Sequence, residues 1–203
     1  MLHKKTIFLL ISKIILIIVL IPSESFPIGF SDFPPNIQKH ILNNNPYVRS
    51  SVDSNKNEQS LNFLAVGLHH QDCRMAMKVI GNYENYSKHI EFIRSSKYIK
   101  GRINLVLSSS FMPFDMTLNF KLPRINDVGV YPFVFDNGFL LNLKGEVHVK
   151  LFTNQKKYKC LVGMRAAWKG KKTKIPDYLF EMFTKTIGQI GLSKLFRISG
   201  HRY

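Results

Sequence analysis

Acidic residues are scarce in this chain: 13 Asp and Glu stand against 29 Lys and Arg, a formal net charge of +16. A field of that sign disfavours basic partners and draws the protein to anionic surfaces such as lipid headgroups, glycans or nucleic acid. The lysines are scattered, with the tightest clusters at Lys156, Lys157 and Lys159 and at Lys169, Lys171, Lys172 and Lys174. No nucleic-acid motif accompanies them, so nucleic acid is not an expected partner. An anionic membrane surface is the better match, set against a merely solvated face left by a coding bias toward Lys, Asn and Ile.

Cysteine is nearly absent, with only Cys73 and Cys160. Two thiols cannot build a zinc site by themselves, whereas in an exported protein a lone pair is a candidate disulfide. Catalytic signatures are missing as well. There is no Ser-His-Asp or Cys-His arrangement with recognisable spacing, no paired-carboxylate pattern and no phosphate loop. Asp115, Asp127 and Asp136 fall at strand ends or turns, and Glu146 sits on a polar strand face. No catalytic residue and no cofactor are therefore expected. The run His69-His70-Gln71-Asp72-Cys73 concentrates metal-ligand types. Neighbours on a strand point to opposite faces, so only His70 and Asp72 share a side, and an ordinary strand end is expected rather than a metal site.

Long apolar runs are confined to the start. Lys4, Lys5 and Lys13 precede the aliphatic run from Ile14 to Ile21, Pro22 breaks it, and Ser23 and Ser25 are small residues at the spacing a signal peptidase reads. This pattern predicts a secretory signal over residues 1–25, cleaved near Ser25, and a periplasmic or secreted mature protein. The competing reading is an uncleaved tether, but a spanning helix needs roughly 20 apolar residues. About 178 residues would remain, one domain's worth. Removing Lys4, Lys5, Lys13 and Glu24 leaves a net charge of +14.

Residues 26–60 hold Pro27, Pro34, Pro35 and Pro46 and an Asn/Ser-rich stretch, and read as an irregular leader with a short helix over Asn36–Leu42. The domain proper is predicted over 61–203. It begins with a strand, LNFLAVGLHH, apolar on both faces. Asp72 caps a helix that Gly81 ends, and a second short helix follows at YSKHIEFI. The apolar period then changes to two. Strands are predicted at Ser95–Ile99, Arg102–Ser110, around Met116, Leu118 and Phe120, around Tyr131, Phe133 and Phe135, at LLNLKGEVHVKLF and at Tyr158–Lys169. Asp136-Asn137-Gly138 is the expected hairpin turn. From Pro176 a long helix carries Leu179, Phe180, Phe183, Ile187, Ile190, Leu195 and Ile198 on one apolar stripe, interrupted by Gly188 and Gly191. Glycine costs ~1 kcal/mol inside a helix, which suggests a close approach.

The segment VIGNYENYSKHIEFIRSSKY carries an Asn-Tyr-x-x-Tyr stretch between a helix and an Ile-rich turn, and WKGKKTKIPDYLFEMF feeds the last strand into the long helix. With the element order, these resemble the START-like, Bet v 1-like helix-grip superfamily, which includes polyketide-cyclase/dehydrase-like and coenzyme Q-binding START proteins. The resemblance runs from Leu61 to Ser199. It implies an α+β fold in which a strongly bent antiparallel sheet of about seven strands wraps around the C-terminal helix, with two short helices after the first strand. It also implies a hydrophobic cavity between sheet and helix. The ligand-binding wall would then be drawn from Phe111, Met116, Leu118 and Phe120, from Tyr131, Phe133 and Phe135, from Val147, Met164 and Trp168, and from Phe183 and Ile187. The alternative for each is close packing in a solid core. The resembled fold sets the first strand antiparallel beside the last, which brings Cys73 toward Cys160 and makes their disulfide plausible; two unpaired buried thiols are the alternative.

Arg165 is expected along the outer surface, with pairing to an anionic headgroup as the alternative. Asn85-Tyr86-Ser87 matches a glycosylation sequon. The functional expectation is non-catalytic binding of a hydrophobic small molecule or lipid. A cell-envelope interaction module with a basic docking face comes second, and a cyclase-like enzyme third.

Overall fold

The computed structural model of the protein describes residues 28–108, 115–154 and 157–198. A helix, α1 (Pro35–Leu42), leads into β1 (Tyr47–Ser54) and β2 (Glu58–His69). Two short helices follow, α2 (Cys73–Ile80) and α3 (Tyr86–His89), separated by a 3-10 turn at Tyr83–Asn85. Then come β3 (Ile93–Ile99), β4 (Arg102–Leu107), β5 (Met116–Lys121), β6 (Gly129–Gly138), β7 (Lys144–Asn154), β8 (Lys157–Lys171) and the long helix α4 (Asp177–Arg197). The eight strands form one sheet in the order β1-β2-β8-β7-β6-β5-β4-β3. Every neighbouring pair is antiparallel.

Sheet and helix constrain each other. In a flat sheet, eight strands at ~4.8 Å spacing would hold the edge strands more than 30 Å apart. Yet α4 reaches both edges. Gly188 lies against Phe63 of β2 and Val48 of β1, while Lys194 pairs with Glu91 at 2.5 Å, just before β3. A helix ~10 Å across can touch both only if the sheet curls around it. Gly188 is the glycine that needs the room, because a Cβ there would fall 2.6 Å from the Phe63 ring. Gly191 has more space, its nearest neighbour being Phe92 at 3.8 Å.

Local chemistry sets the helices. The Asp72 side chain accepts the Met75 N–H at 2.9 Å and starts α2. The helix stops at Gly81, where a Cβ would sit 2.3 Å from the Ile125 carbonyl oxygen. In the Asn-Tyr-x-x-Tyr stretch, Tyr83 is buried, donates to the Pro123 carbonyl at 2.9 Å and accepts the Ile125 N–H. Its Tyr86 partner donates to the Ile80 carbonyl. That motif fastens the short helices to the β5–β6 connection.

Three expectations need correction. The short helix expected at Asn36–Leu42 is present as α1, but the rest of 28–60 is not irregular, since it holds the edge strand β1 and the start of β2, and the sheet has eight strands. β1 escapes the sequence pattern because only Val48 and Val52 are apolar on its inward face; between them Ser50 bonds Thr184 of α4 at 2.7 Å. Ile28, Phe33 and Ile41 build a second core on the outward face of the sheet against Leu64, Val66, Leu68 and Leu161. Second, Asp136-Asn137-Gly138 is not the hairpin turn. Asn137 and Gly138 still pair with β5, and the reversal falls at residues 139–143, where Asn142 takes φ 69°. Leu140 and Leu143 are buried inside that turn, so apolar alternation continued through a loop and imitated a strand. Third, the apolar pattern does not bury every residue it contains: Leu141, Leu179 and, although it shares a face with Val147 and Val149, Leu151 are exposed.

Candidate functional site

Alternation along the register defines the inward face of the sheet. It comprises Val48 and Ser50 on β1, then Leu61, Phe63, Ala65, Gly67 and His69 on β2. β8 and β7 add Cys160, Val162, Met164, Ala166 and Trp168, then Gly145, Val147 and Val149. Tyr131, Phe133 and Phe135 follow on β6, Met116, Leu118 and Phe120 on β5, and Ile103, Leu105 and Leu107 on β4. No Asp, Glu, Lys or Arg occurs among these positions.

Every described residue of the expected wall belongs to one apolar cluster on this face and the facing side of α4; Phe111 lies outside the described residues. The cluster divides in two. Met116, Phe133, Phe135, Val147 and Trp168 are buried and act as core. Leu118, Phe120, Tyr131, Met164, Phe183 and Ile187 pack against that core yet keep solvent-accessible surface. Met164 decides the matter. It points inward from a strand flanked by β2 and β7, beside fully buried Ala65 and buried Val147, and is itself only half-buried. A close-packed interior leaves no accessible surface at such a position. Met164 therefore keeps surface that neither its strand neighbours nor α4 covers.

Aromatic rings shape the rest. Phe120 stacks on Phe135 with centroids 4.8 Å apart and planes 12° from parallel. Trp168 donates its indole N–H to the Leu141 carbonyl at 3.0 Å and meets Phe180 edge-on at 6.0 Å. Phe139, absent from the expected wall, lies 5.4 Å from Phe180 and 6.4 Å from Trp168. It was hidden because it lies in the turn mistaken for a strand. Ile190 and Leu195 of α4 also pack against the cluster.

Titratable groups sit at the margins. His69 closes the inward face, stacked on His70 at 4.7 Å and set edge-on to Phe196 at 5.7 Å. Its Nδ1 accepts the Gln71 N–H at 3.2 Å, and its buried Nε2 has no hydrogen-bond partner. Burial, then repulsion from His70, lowers its pKa to about 4. His70 donates to the Phe196 carbonyl at 2.6 Å, which anchors the end of α4. Among the described residues no group of three or more His, Cys, Asp or Glu is placed to hold a metal. Cys73 and Cys160 are disulfide-bonded, with Cα atoms 4.6 Å apart, next to the register pair His69 and Cys160. Arg165 lies on the outward face and grips Glu146 through Nε at 3.0 Å and Nη2 at 2.7 Å. That hydrogen bond is the main reason the Glu146 carboxyl is held below its ordinary range.

One long C-terminal helix lies against the inward face of an antiparallel sheet, and two short helices join β2 to β3. This is a helix-grip fold. No protein-family model matches the sequence, and no curated protein matches it. Solved structures of similar shape include XoxI from Bacillus cereus, 15% identical, covering 74% of this chain and 93% of that one at TM-score 0.45. Others are an uncharacterised protein from Bacillus thuringiensis (17% identical, 66% and 98% covered, TM-score 0.48) and Ara h 8.0201 (13% identical, 68% and 95% covered, TM-score 0.46). The fold assignment stands on strand order and helix placement, independently of these likenesses. Among the described residues, no helix is long and apolar enough to cross a membrane.

Proposed function

We propose that the protein is an exported, non-catalytic carrier of a neutral hydrophobic small molecule or lipid, held between α4 and the inward face of the sheet. The observation that carries this reading is the half-buried Met164 on an inward face that, among the described residues, carries no Asp, Glu, Lys or Arg. Such a space rewards burial of apolar surface and offers a charged ligand no partner, so a charged group would pay its desolvation uncompensated. Among the described residues, His69 lies at the far margin of this lining, stacked on His70 and against Phe196, and no carboxylate is hydrogen-bonded to it to form an acid–base pair. Export is proposed from the N-terminal pattern of charged start, aliphatic run and small residues.

Mass spectrometry of solvent-extracted native protein should find an apolar compound in the wild type. Met164→Trp should fill the space and weaken uptake of a neutral fluorescent lipid analogue by at least about tenfold. A stably folded Met164→Trp protein that binds as well as wild type refutes this placement. Recovered exported protein should begin at or near Phe26; retention of Met1 would overturn the export reading.

A further inference from the structure

Four of the eight large apolar side chains exposed among the described residues gather at one end of the molecule. Leu141 (49% exposed) caps the β6–β7 turn, and Tyr178 (70%), Leu179 (37%) and Met182 (58%) project from the first two turns of α4. The two elements are joined beneath the surface by the Phe139–Phe180 contact and the bond from Trp168 to the Leu141 carbonyl, so their exposed groups lie at the same end of the molecule. Lys169 and Lys171 at the end of β8 and Lys172 and Lys174 in its connection to α4 follow one another with no acid among them. Lys169 pairs with Glu58 at 3.0 Å; among the described residues no ion pair engages Lys171, Lys172 or Lys174. The facing acids are Glu58, the register partner of Lys171, then Asp177, held by Ser54 and Gln59 and close enough to Lys172 to feel its charge, and Glu181 one turn further on.

A solvated basic face explains the lysines but leaves leucine, methionine and tyrosine in water beside them. Aliphatic and tyrosine side chains that enter the headgroup layer, rimmed by lysines that meet its negative charge, account for both. We propose that this end of the molecule docks on an anionic phospholipid bilayer through Leu141, Tyr178, Leu179 and Met182, with Lys171, Lys172 and Lys174 meeting the headgroups. The proposal rests on the carrier reading only for its purpose, the exchange of ligand with the bilayer. Phe180, one residue from Leu179, faces the apolar cluster, so docking sets the helix–sheet space next to lipid.

The test is sedimentation of the protein, recovered from its host with the N-terminus the host leaves, with vesicles of phosphatidylcholine alone or mixed with phosphatidylglycerol. Binding should require phosphatidylglycerol and weaken with salt. Replacing Lys171, Lys172 and Lys174 together by Gln should weaken it roughly a hundredfold. Replacing Leu141, Leu179 and Met182 together by Ser should weaken it by more than about tenfold. All six side chains are exposed, so both variants should keep the wild-type urea midpoint. Equal binding to neutral vesicles, unchanged binding by either variant, or a lipid-free dimer that the serine variant abolishes would each overturn the proposal. The carrier reading is tested separately. It survives a docking failure if Met164→Trp still loses the lipid analogue, and it falls alone if docking holds while Met164→Trp binds normally.

Discussion

Acidification should unfold this protein through His69 before its carboxylates matter. His69 is fully buried at the end of the inward face, with His70 and Phe196 against its ring, Asp72 nearby and the Leu195 backbone at the end of α4 facing it. Its folded pKa of about 4 lies below the ordinary 6.5. The unfolded chain therefore takes up the proton first. The contribution of neutral His69 is complete above pH 6.5 and is lost as pH falls toward the folded value. Linkage gives a loss of about 2 kcal/mol by pH 5 and about 3 kcal/mol by pH 4. Burial lowers the His148 pKa too, so the wild-type profile alone does not isolate His69. His69→Asn does, because an amide oxygen can still accept the Gln71 N–H while nothing titrates. Urea unfolding from pH 7 to pH 4.5 should show a wild-type slope that His69→Asn flattens by about 2 kcal/mol over that range. Equal slopes in the two proteins would mean that His69 is hydrated in the folded state, and the argument from burial would fail.

The remaining predictions concern stability. Removing the disulfide by Cys73→Ala with Cys160→Ala frees a loop of 87 residues' separation, which the chain-entropy model values at about 4–5 kcal/mol. Intact mass with and without reductant after alkylation checks the bond, and urea unfolding checks the magnitude; two freely alkylated thiols in folded, oxidised protein would contradict it. Gly67→Ala places a Cβ 2.4 Å from the Phe196 ring, and displacing that ring should cost about 1–3 kcal/mol. An unchanged urea midpoint for Gly67→Ala would show that the end of α4 is loosely seated on β2.

The amino-acid sequence by itself determined the elements whose signals are local. Strict alternation at Val147 and Val149 marks β7, the Asp72 cap and Gly81 bound α2, and Pro176 with Asp177 starts α4. These depend on side-chain period, capping and backbone restriction, which operate within a few residues. The element order then sufficed to suggest the helix-grip arrangement and to draw Cys73 toward Cys160. Tertiary structure decided what depends on distant partners. β1 is a strand because β2 offers it an edge and Thr184 satisfies Ser50, neither of which its own composition announces. Residues 139–143 turn because Phe139, Leu140 and Leu143 have a core to enter, although their pattern alone continues a strand. The division of the aromatic face into packed core and accessible wall was likewise invisible to pattern. Phe133 and Phe120 are the same residue type at the same period, yet the packing over them buries one and leaves the other half open.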